Sequence, residues 1–208
     1  MILISSFRPL GEDPEWDANQ MRAYRSWQMF AERIYLFGEP EAQLKSNKVH
    51  FVPSEQYPRI RDMAELAARF RGKITLICNG DIVIDPDIRR IERKLGFAHA
   101  CCASSRRWHF KPEPLMSEAV KNASLIDGEG RDDRGRDVFM ARDFVWGKVA
   151  ATMPDKYRIG HSLWDAYITN AFREHWNDRF LDFSAMRLIF HPIHEGRRRP
   201  HDLEIANT

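Results

Sequence analysis

One short segment joins a predicted buried strand to side chains of types that can bind metal ions and phosphates. An apolar run, Ile74–Cys78, is long enough for a strand and too short for a helix. It ends at Asn79-Gly80-Asp81, and in an open α/β sheet ligands bind just beyond the carboxyl ends of the strands. A carboxylate there, beside a residue without a side chain, is suited to hold a divalent cation and the phosphates that it carries. The alternative is a plain hairpin turn, because Asn-Gly is the strongest short hairpin signal.

The segments before this turn alternate between strand and helix patterns. Strands are predicted from short apolar runs, and helices from apolar residues three and four positions apart. Asp17 is expected to cap the first helix at its N-terminus. In chain order the predicted elements are the strand Ile2–Phe7, the helix Asp17–Arg33, the strands Ile34–Phe37 and Val49–Val52, the helix Pro58–Arg71 and the strand Ile74–Cys78.

The pattern continues after this point, although less regularly. Further elements are predicted at Asp87–Leu95 (helix), Gly96–Ser104, Arg106–Phe110 and Val138–Ala141 (strands), Phe144–Met153 (helix or turn), Ser162–Trp176 (helix), and Phe180–Phe183 and Leu188–Phe190 (strands). This order predicts an α/β fold in which a mixed, mostly parallel sheet is flanked by helices.

Composition indicates a globular protein with a core rather than a disordered or nucleic-acid-binding chain. The 208 residues fit one domain, and 43% are hydrophobic. The 32 basic and 30 acidic residues leave a net charge of only +2, whereas a general nucleic-acid binder needs a clear cationic surplus. The arginines between residues 131 and 136 are interleaved with aspartates, which cancels much of that patch.

Cysteine usage and the apolar segments bear on the compartment. The cysteines Cys78, Cys101 and Cys102 show no disulfide or zinc-ribbon spacing, so we expect free buried thiols in a reducing cytoplasm. Cys101 and Cys102 are adjacent and should face opposite sides of a strand. No segment reaches the apolar length that spans a bilayer, and the first seven residues lack the basic region of a signal peptide. We therefore predict a cytoplasmic protein that does not span a membrane.

Four motifs, taken in order, resemble the GT-A glycosyltransferases, which use nucleotide-diphospho-sugars. The turn at Asn79-Gly80-Asp81 resembles their strand-end acidic motif, which holds the metal and the diphosphate. The other three are the strand motif at 135–140 (GRDVFM), the helix-opening motif at 159–165 (IGHSLWD) and the late histidine motif at 191–194 (HPIH). The resemblance extends from Ile2 to about His194 and is an argument by analogy. It implies one GT-A-like, Rossmann-like domain over 1–208, with a nucleotide-binding half at 1–104 and an acceptor-side half with a basic tail at 105–208.

The chain departs from the family pattern in two ways. Asn79 stands where the motif usually has an aspartate, so it can give a neutral oxygen to a metal or bond a ribose hydroxyl but adds no charge. The chain is also short for the fold, which leaves little room for a dedicated acceptor domain.

The resemblance assigns metal binding to Asp81 and His194, with His191 as a weaker rival for the same role. The cation would be Mn²⁺ or Mg²⁺, and a histidine ligand favours Mn²⁺. A cation there would neutralise the charge that grows on the leaving diphosphate. The alternatives are a turn residue for Asp81 and an ordinary surface or core histidine for His194.

The remaining candidates surround the donor and the acceptor. Topology suggests Ser5, Phe7, Arg8 and Arg59 or Arg61 as nucleotide contacts. Arg197–Arg199 could clamp the diphosphate, or form a solvated basic tail. In an inverting enzyme, Asp165 at a helix N-terminus is the candidate general base, with the neighbouring Trp164 stacked on a sugar. Asp137 is a second candidate, more suited to a donor-sugar hydroxyl, and Asp127 and Glu129 lie in a Gly-rich stretch that is either an acceptor-facing lid or a solvated loop.

These residues leave several functions open. The leading hypothesis is a metal-dependent glycosyltransferase that moves a sugar from a nucleotide-diphosphate donor to an acceptor hydroxyl. The second is an inactive GT-A-like module that binds a nucleotide or a protein, which Asn79 in the metal site and the short length of the chain support. The third is a nucleotidyltransferase, although the segment Ser5–Pro14 contains only Gly11 where a Gly-rich loop would be expected. The donor base, the sugar, the acceptor and the stereochemistry stay open.

Overall fold

The structure is a computed structural model that describes residues 1–44, 46–54, 57–97, 99–104, 108–110, 136–161, 163–186 and 188–192. The strands are β1 (Ile2–Ser6), β2 (Arg33–Phe37), β3 (Val49–Val52), β4 (Ile74–Cys78), β5 (Val83–Ile84), β6 (Cys101–Ser104), β7 (Trp108–Phe110), β8 (Val138–Arg142), β9 (Phe180–Asp182) and β10 (Ile189–Pro192). The helices are α1 (Pro14–Phe30), α2 (Ile60–Ala68), α3 (Arg89–Phe97), α4 (Asp143–Thr152) and α5 (Trp164–Trp176), with 3₁₀ turns at Ala42–Leu44, Pro86–Ile88, Asn177–Arg179 and Ser184–Met186.

The main sheet is mixed and mostly parallel, as the sequence predicts. Its seven strands lie in the order β3-β2-β1-β4-β8-β6-β9. The strands β3, β2, β1 and β4 are parallel to their neighbours in this order, and β8 runs antiparallel to both β4 and β6. Because β8 reverses direction, its first residues lie at the same edge as the carboxyl ends of β1 and β4. The topology therefore gathers the strand ends of both halves of the chain at one edge of the sheet.

Each face of this sheet is covered by helices, and neighbouring residues of a strand enter opposite cores. Leu3, Leu76 and Cys102 belong to the core beneath α1 and α3. Ile4, Ile77 and Cys101 belong to the core beneath α2, α4 and α5. The opposite orientation predicted for the two adjacent cysteines is confirmed, and all three cysteines are free and buried. Within the residues that the structure describes, no helix is long and apolar enough to cross a bilayer.

The apolar run after Asp81 forms part of a second, smaller sheet. Its strand order is β5-β10-β7, with β10 antiparallel to β5. The main-sheet strand β4 pairs instead with β1 and β8. The alternative interpretation of Asn79-Gly80-Asp81 as a hairpin turn is therefore wrong, because the strands on its two sides belong to different sheets.

The first helix begins earlier than predicted, and a different residue caps it. Asp13 accepts hydrogen bonds from the backbone N–H groups of Glu15 (3.1 Å) and Trp16 (3.2 Å), and Pro14 occupies the first turn. Asp17 lies inside the helix and accepts a bond from the Gly11 N–H at 2.7 Å. The prediction of Asp17 as the cap is wrong, since an aspartate directly before the first-turn proline takes that place.

Candidate functional site

A polar cleft lies at the carboxyl edge of β1 and β4. It encloses about 190 Å³, and its floor is formed by Ser6 at the end of β1 and by the Asn79-Gly80-Asp81 turn after β4. This is the edge at which an open α/β sheet binds its ligands. The second sheet closes one side of the cleft through His191.

Gly80 is required because the two strand ends approach each other closely. A Cβ atom built on Gly80 would lie 2.3 Å from the backbone oxygen of Ser6, far inside van der Waals contact. The glycine therefore lets the main chain pass over the end of β1. Asp81 follows directly and is only 4% exposed.

The Asp81 carboxylate lies against the His191 imidazole at the junction of the two sheets. The distance from His191 Nε2 to Asp81 Oδ2 is 3.4 Å, and the imidazole is 13% exposed. The pairing of β5 with β10 explains this contact, since Phe190 lies opposite Val83 and the next residue therefore comes level with Ile82. A carboxylate and an imidazole are thus held together at the cleft by backbone register.

Asn79 and Asp137 form a second polar pair at the same strand end. The Asn79 amide Nδ2 donates a hydrogen bond of 2.8 Å to Asp137 Oδ1. The Asn79 Oδ1 atom is buried and has no hydrogen-bond partner among the described residues. Burial raises the pKa of the Cys78 thiol well above its usual range, and the nearby charges of Asp81 and Asp137 act in the same direction. Two carboxylates and an amide oxygen therefore surround the end of β4.

The α1 side of the cleft carries a guanidinium on an aromatic ring. The Arg8 Cζ atom lies 4.2 Å from the centre of the Trp16 ring and 5.9 Å from that of Tyr57. Gln20 is 1% exposed and fixes the Arg8 backbone from both directions. Its Oε1 accepts from the Arg8 N–H at 2.7 Å, and its Nε2 donates to the Arg8 carbonyl at 3.2 Å. The guanidinium therefore extends from a well-anchored main chain.

The opposite wall joins the segment before α2 to the segment before α5. Tyr57, Ile159 and Gly160 line the cleft here. The Ile159 N–H donates to the Pro58 carbonyl at 3.2 Å, and Arg158 Nη1 donates to the Tyr57 carbonyl at 2.8 Å. Two segments distant in sequence thus form one continuous wall.

Several residues predicted from topology lie outside the cleft. Ser5 is fully buried, and its hydroxyl donates to the Cys78 carbonyl at 2.7 Å, so it joins β1 to β4 rather than facing a ligand. Arg61 donates to the Met153 carbonyl and pairs with Asp155 at 2.7 Å. Phe7 packs against Tyr24 and Trp27 and lines a neighbouring pocket. These three placements do not bring the side chains to the cleft.

The two helix-opening candidates have structural contacts of their own. Trp164 is 3% exposed and packs edge-on against Phe139 at 5.4 Å, so its ring belongs to the core and the predicted stacking on a sugar does not fit. Asp165 Oδ2 accepts the backbone N–H of Arg136 at 2.9 Å. Asp165 is thereby held beside the start of β8, close to Asp137, and neither carboxylate belongs to the lining of the cleft.

Other predicted residues cannot be placed, and some cleft residues were missed. His194, Arg197–Arg199, Asp127 and Glu129 lie outside the described residues. The sequence did not predict three residues of the cleft, because their local patterns are typical of core or loop positions. These residues are Trp16, Gln20 and Tyr57. The strand pairing that brings His191 to Asp81 joins residues about a hundred positions apart, and no local signal reports it.

The donor atoms fit a cation that arrives with its own oxygen ligands. Within the described part of the chain, no cluster of three or more His, Cys, Asp or Glu side chains could hold a metal ion. Asp81 and His191 nevertheless supply an oxygen and a nitrogen, and the buried Asn79 Oδ1 supplies a second oxygen. Mg²⁺ and similar ions are commonly bound by one or two protein groups, with substrate phosphates and water filling the other positions. The residues present therefore fit a metal–diphosphate site rather than an all-protein cage.

Comparison with known proteins shows the fold. No protein-family model and no curated protein matches the chain. A structure of S. aureus TarS 1–349 in complex with UDP-GlcNAc is similar, with a TM-score of 0.58, 10% identity, and coverage of 94% of this chain and 59% of the TarS chain. A second structure of S. aureus TarS 1–349 has a TM-score of 0.53 and 11% identity, with coverage of 98% of this chain and 62% of the TarS chain. The chain thus spans about three fifths of these TarS chains, and the predicted GT-A-like fold is confirmed.

Proposed function

We propose that this protein is a metal-dependent glycosyltransferase that moves a sugar from a nucleotide-diphosphate donor to an acceptor hydroxyl. The observation that carries the proposal is the Asp81–His191 pair, 3.4 Å apart at the carboxyl edge of β4, in a cleft that Arg8 also lines. The TarS chain that shares this fold was solved with UDP-GlcNAc, which supports a nucleotide-sugar as the donor here.

Asp81 and His191 would hold Mn²⁺ or Mg²⁺, with the Asn79 oxygen as a further ligand. When bound, the cation supplies Lewis-acid stabilisation of the charge that develops on the leaving diphosphate. A cation at this position would add positive charge next to a carboxylate that is removed from water. A nitrogen ligand from His191 favours Mn²⁺ over Mg²⁺.

Arg8 would bind the diphosphate on the α1 side. Its guanidinium offers several N–H donors in a planar array that matches phosphate oxygens. The Trp16 ring supports one face of the guanidinium and leaves its N–H edge for a ligand. Since Gln20 fixes the Arg8 backbone, little additional order has to be created when the diphosphate binds.

Asp137 is better supported than Asp165 as the carboxylate that meets the sugars. Each carboxylate accepts one hydrogen bond, but the bond to Asp137 comes from Asn79 on the floor of the cleft, whereas the bond to Asp165 comes from the Arg136 N–H. An oriented carboxylate can accept a bond from a sugar hydroxyl or, in an inverting reaction, take its proton. Asp165 would then act by holding the main chain that carries Asp137.

The central experiment is binding of nucleoside diphosphates with and without Mn²⁺, measured by calorimetry and by the unfolding temperature. A ligand that binds only the folded chain at 100 times its Kd adds about 2.7 kcal/mol of stability. We expect one nucleoside diphosphate to stabilise the protein only when Mn²⁺ is present, and we expect Asp81→Asn and His191→Gln to abolish the metal requirement together with most of the affinity.

The matched control is Asp178→Asn, which removes an exposed aspartate from the turn Asn177–Arg179. This variant should bind like the wild type. Equal affinity with and without Mn²⁺, or an Asp81→Asn variant that folds and binds normally, would contradict the proposal. Binding without sugar transfer would instead support the inactive module. Release of pyrophosphate from a nucleoside triphosphate and a sugar 1-phosphate would support the nucleotidyltransferase.

A further inference from the structure

A second pocket opens beside the cleft, at the carboxyl ends of β1, β2 and β3. Its volume is about 310 Å³, and Arg8 lines both this pocket and the cleft. Ser6 lines the cleft and the next two residues line the second pocket, so the two spaces adjoin along the chain after β1. A ligand with its diphosphate against Arg8 can therefore extend one end into each space.

The interior of the second pocket is apolar and contains aromatic rings. Phe7, Phe37 and Leu44 are at most 7% exposed, and Phe51 completes this lining. Gly38 adopts a φ of +140° immediately after β2, and its N–H donates to the Val52 carbonyl at 3.0 Å. Flat rings in a concave site are suited to a planar heterocycle, which buries its faces while its edge meets polar groups.

The polar groups of this pocket are unusual because three of them are carboxylates. Glu12, Glu39 and Glu41 line it, and Arg8 is the cation among the described lining residues. Glu41 already accepts the Leu10 N–H through Oε1 at 3.2 Å. Glu39 is exposed and makes no hydrogen bond or ion pair in the described part of the chain. Both of its oxygens are therefore available to a ligand.

We propose that this pocket takes the donor's base and selects guanine, so that the donor is a GDP-sugar; this inference rests on the function proposed above. Guanine presents two adjacent donors, the ring N1–H and the exocyclic N2–H, which match the two oxygens of a carboxylate. Uracil and thymine present one N–H between two carbonyl oxygens that a carboxylate repels. Cytosine and adenine present an amino group beside a ring nitrogen that itself accepts. A carboxylate such as Glu39 at the rim of this pocket therefore favours guanine over its competitors, while Arg8 on the cleft side binds the diphosphate.

The test compares the Kd values of GDP, IDP, UDP, CDP and ADP by calorimetry in the presence of Mn²⁺. IDP has the guanine skeleton without the N2 amino group, so it retains one of the two proposed bonds. We expect GDP to bind roughly tenfold or more tightly than each of the others, because a hydrogen bond to a charged group is worth about that factor.

The Glu39→Gln variant tests whether Glu39 is the residue that recognises the base. It should weaken the binding of GDP by roughly tenfold and change the affinities for IDP and UDP much less, since only GDP offers both donors to the carboxylate. Glu65→Gln on α2 removes another exposed glutamate and should leave all affinities unchanged. Glu39 is exposed, so the ligand-free unfolding temperature of its variant should equal that of the wild type.

Each result either supports or overturns the base assignment. Tightest binding by GDP with selective loss in Glu39→Gln supports it. Metal-dependent binding led by UDP, CDP or ADP overturns it while leaving the glycosyltransferase proposal intact, and so does a Glu39→Gln variant that retains its GDP affinity. Failure of every nucleoside diphosphate to bind overturns both.

Discussion

At the scale of single residues, the role of Asn79 can be predicted in part from the local sequence, whereas the requirement for glycine at position 80 cannot. The need for glycine at position 80 comes from the Ser6 carbonyl, which belongs to a strand far away in the chain. The Asn79 amide, in contrast, is predictable as a polar group at a strand end, although its hydrogen bond to Asp137 depends on β8. Residue types at the site follow from local sequence, whereas their partners follow from the sheet.

We predict that Gly80→Ala destabilises the protein by about 1–3 kcal/mol, because the new methyl group would force the ends of β1 and β4 apart. Urea unfolding at equilibrium measures the change. Nucleotide binding should weaken in the same variant, since Asp81 follows directly.

Gly147→Ala on α4 is the matched control for this prediction. Its Cβ would lie 3.8 Å from the nearest side-chain atom, in ordinary contact, and alanine in a helix is favoured over glycine by roughly 0.5–1 kcal/mol. It should leave stability unchanged or raise it. Equal destabilisation by both substitutions would show that the approach at Ser6 is not the cause.

At the scale of elements, the sequence predicts most strands and helices, but it predicts the residues at which they begin and end less accurately. The strands Val49–Val52 and Ile74–Cys78 match their predicted bounds, because each apolar run is closed by a polar residue or proline. The helix Pro58–Arg71 shortens to Ile60–Ala68 and Ser162–Trp176 begins at Trp164, since helix ends depend on capping and tertiary contacts. Pairing of β5 with β10, which brings His191 to the site, could not be predicted from local patterns.

The cap of α1 gives a prediction at this scale. Asp13→Ala should lower the free energy of unfolding by about 1 kcal/mol, because two N–H groups of the first turn lose their acceptor. Asp17→Ala removes only the exposed bond to Gly11 and should cost less. Chemical denaturation of both variants measures the difference. A larger loss in Asp17→Ala would contradict the assignment of the cap.

At the scale of the whole molecule, the two cores hold every cysteine of the chain away from water. Burial raises the pKa of the Cys101 thiol from 9.0 to about 12, and burial raises the pKa of Cys78 and Cys102 as well. The folded chain therefore retains these protons at a pH where the unfolded chain has lost them. Because the unfolded state binds fewer protons above about pH 9, alkaline pH favours unfolding.

We predict that stability falls as pH rises above about 9, with Cys101 contributing up to ~1.4 kcal/mol per pH unit until its folded pKa is reached. Cys101→Ala removes this contribution. The stability difference between wild type and Cys101→Ala, measured by urea unfolding near neutral pH and again above pH 9, should shrink as pH rises. A difference that stays constant would contradict the prediction.

The cross-linked wall of the cleft also decides which side of the entrance can yield. The Tyr57–Arg59 and Tyr157–Ile159 segments are joined by the Ile60 N–H to Tyr157 carbonyl bond at 3.0 Å as well as by the bonds at Pro58 and Tyr57. Separating the two segments would break several hydrogen bonds at once, so we expect this side of the entrance to be rigid. Rotation of the Arg8 side chain would break only its contacts with the Trp16 and Tyr57 rings, so we expect the Arg8 side of the entrance to be displaced more easily than this wall.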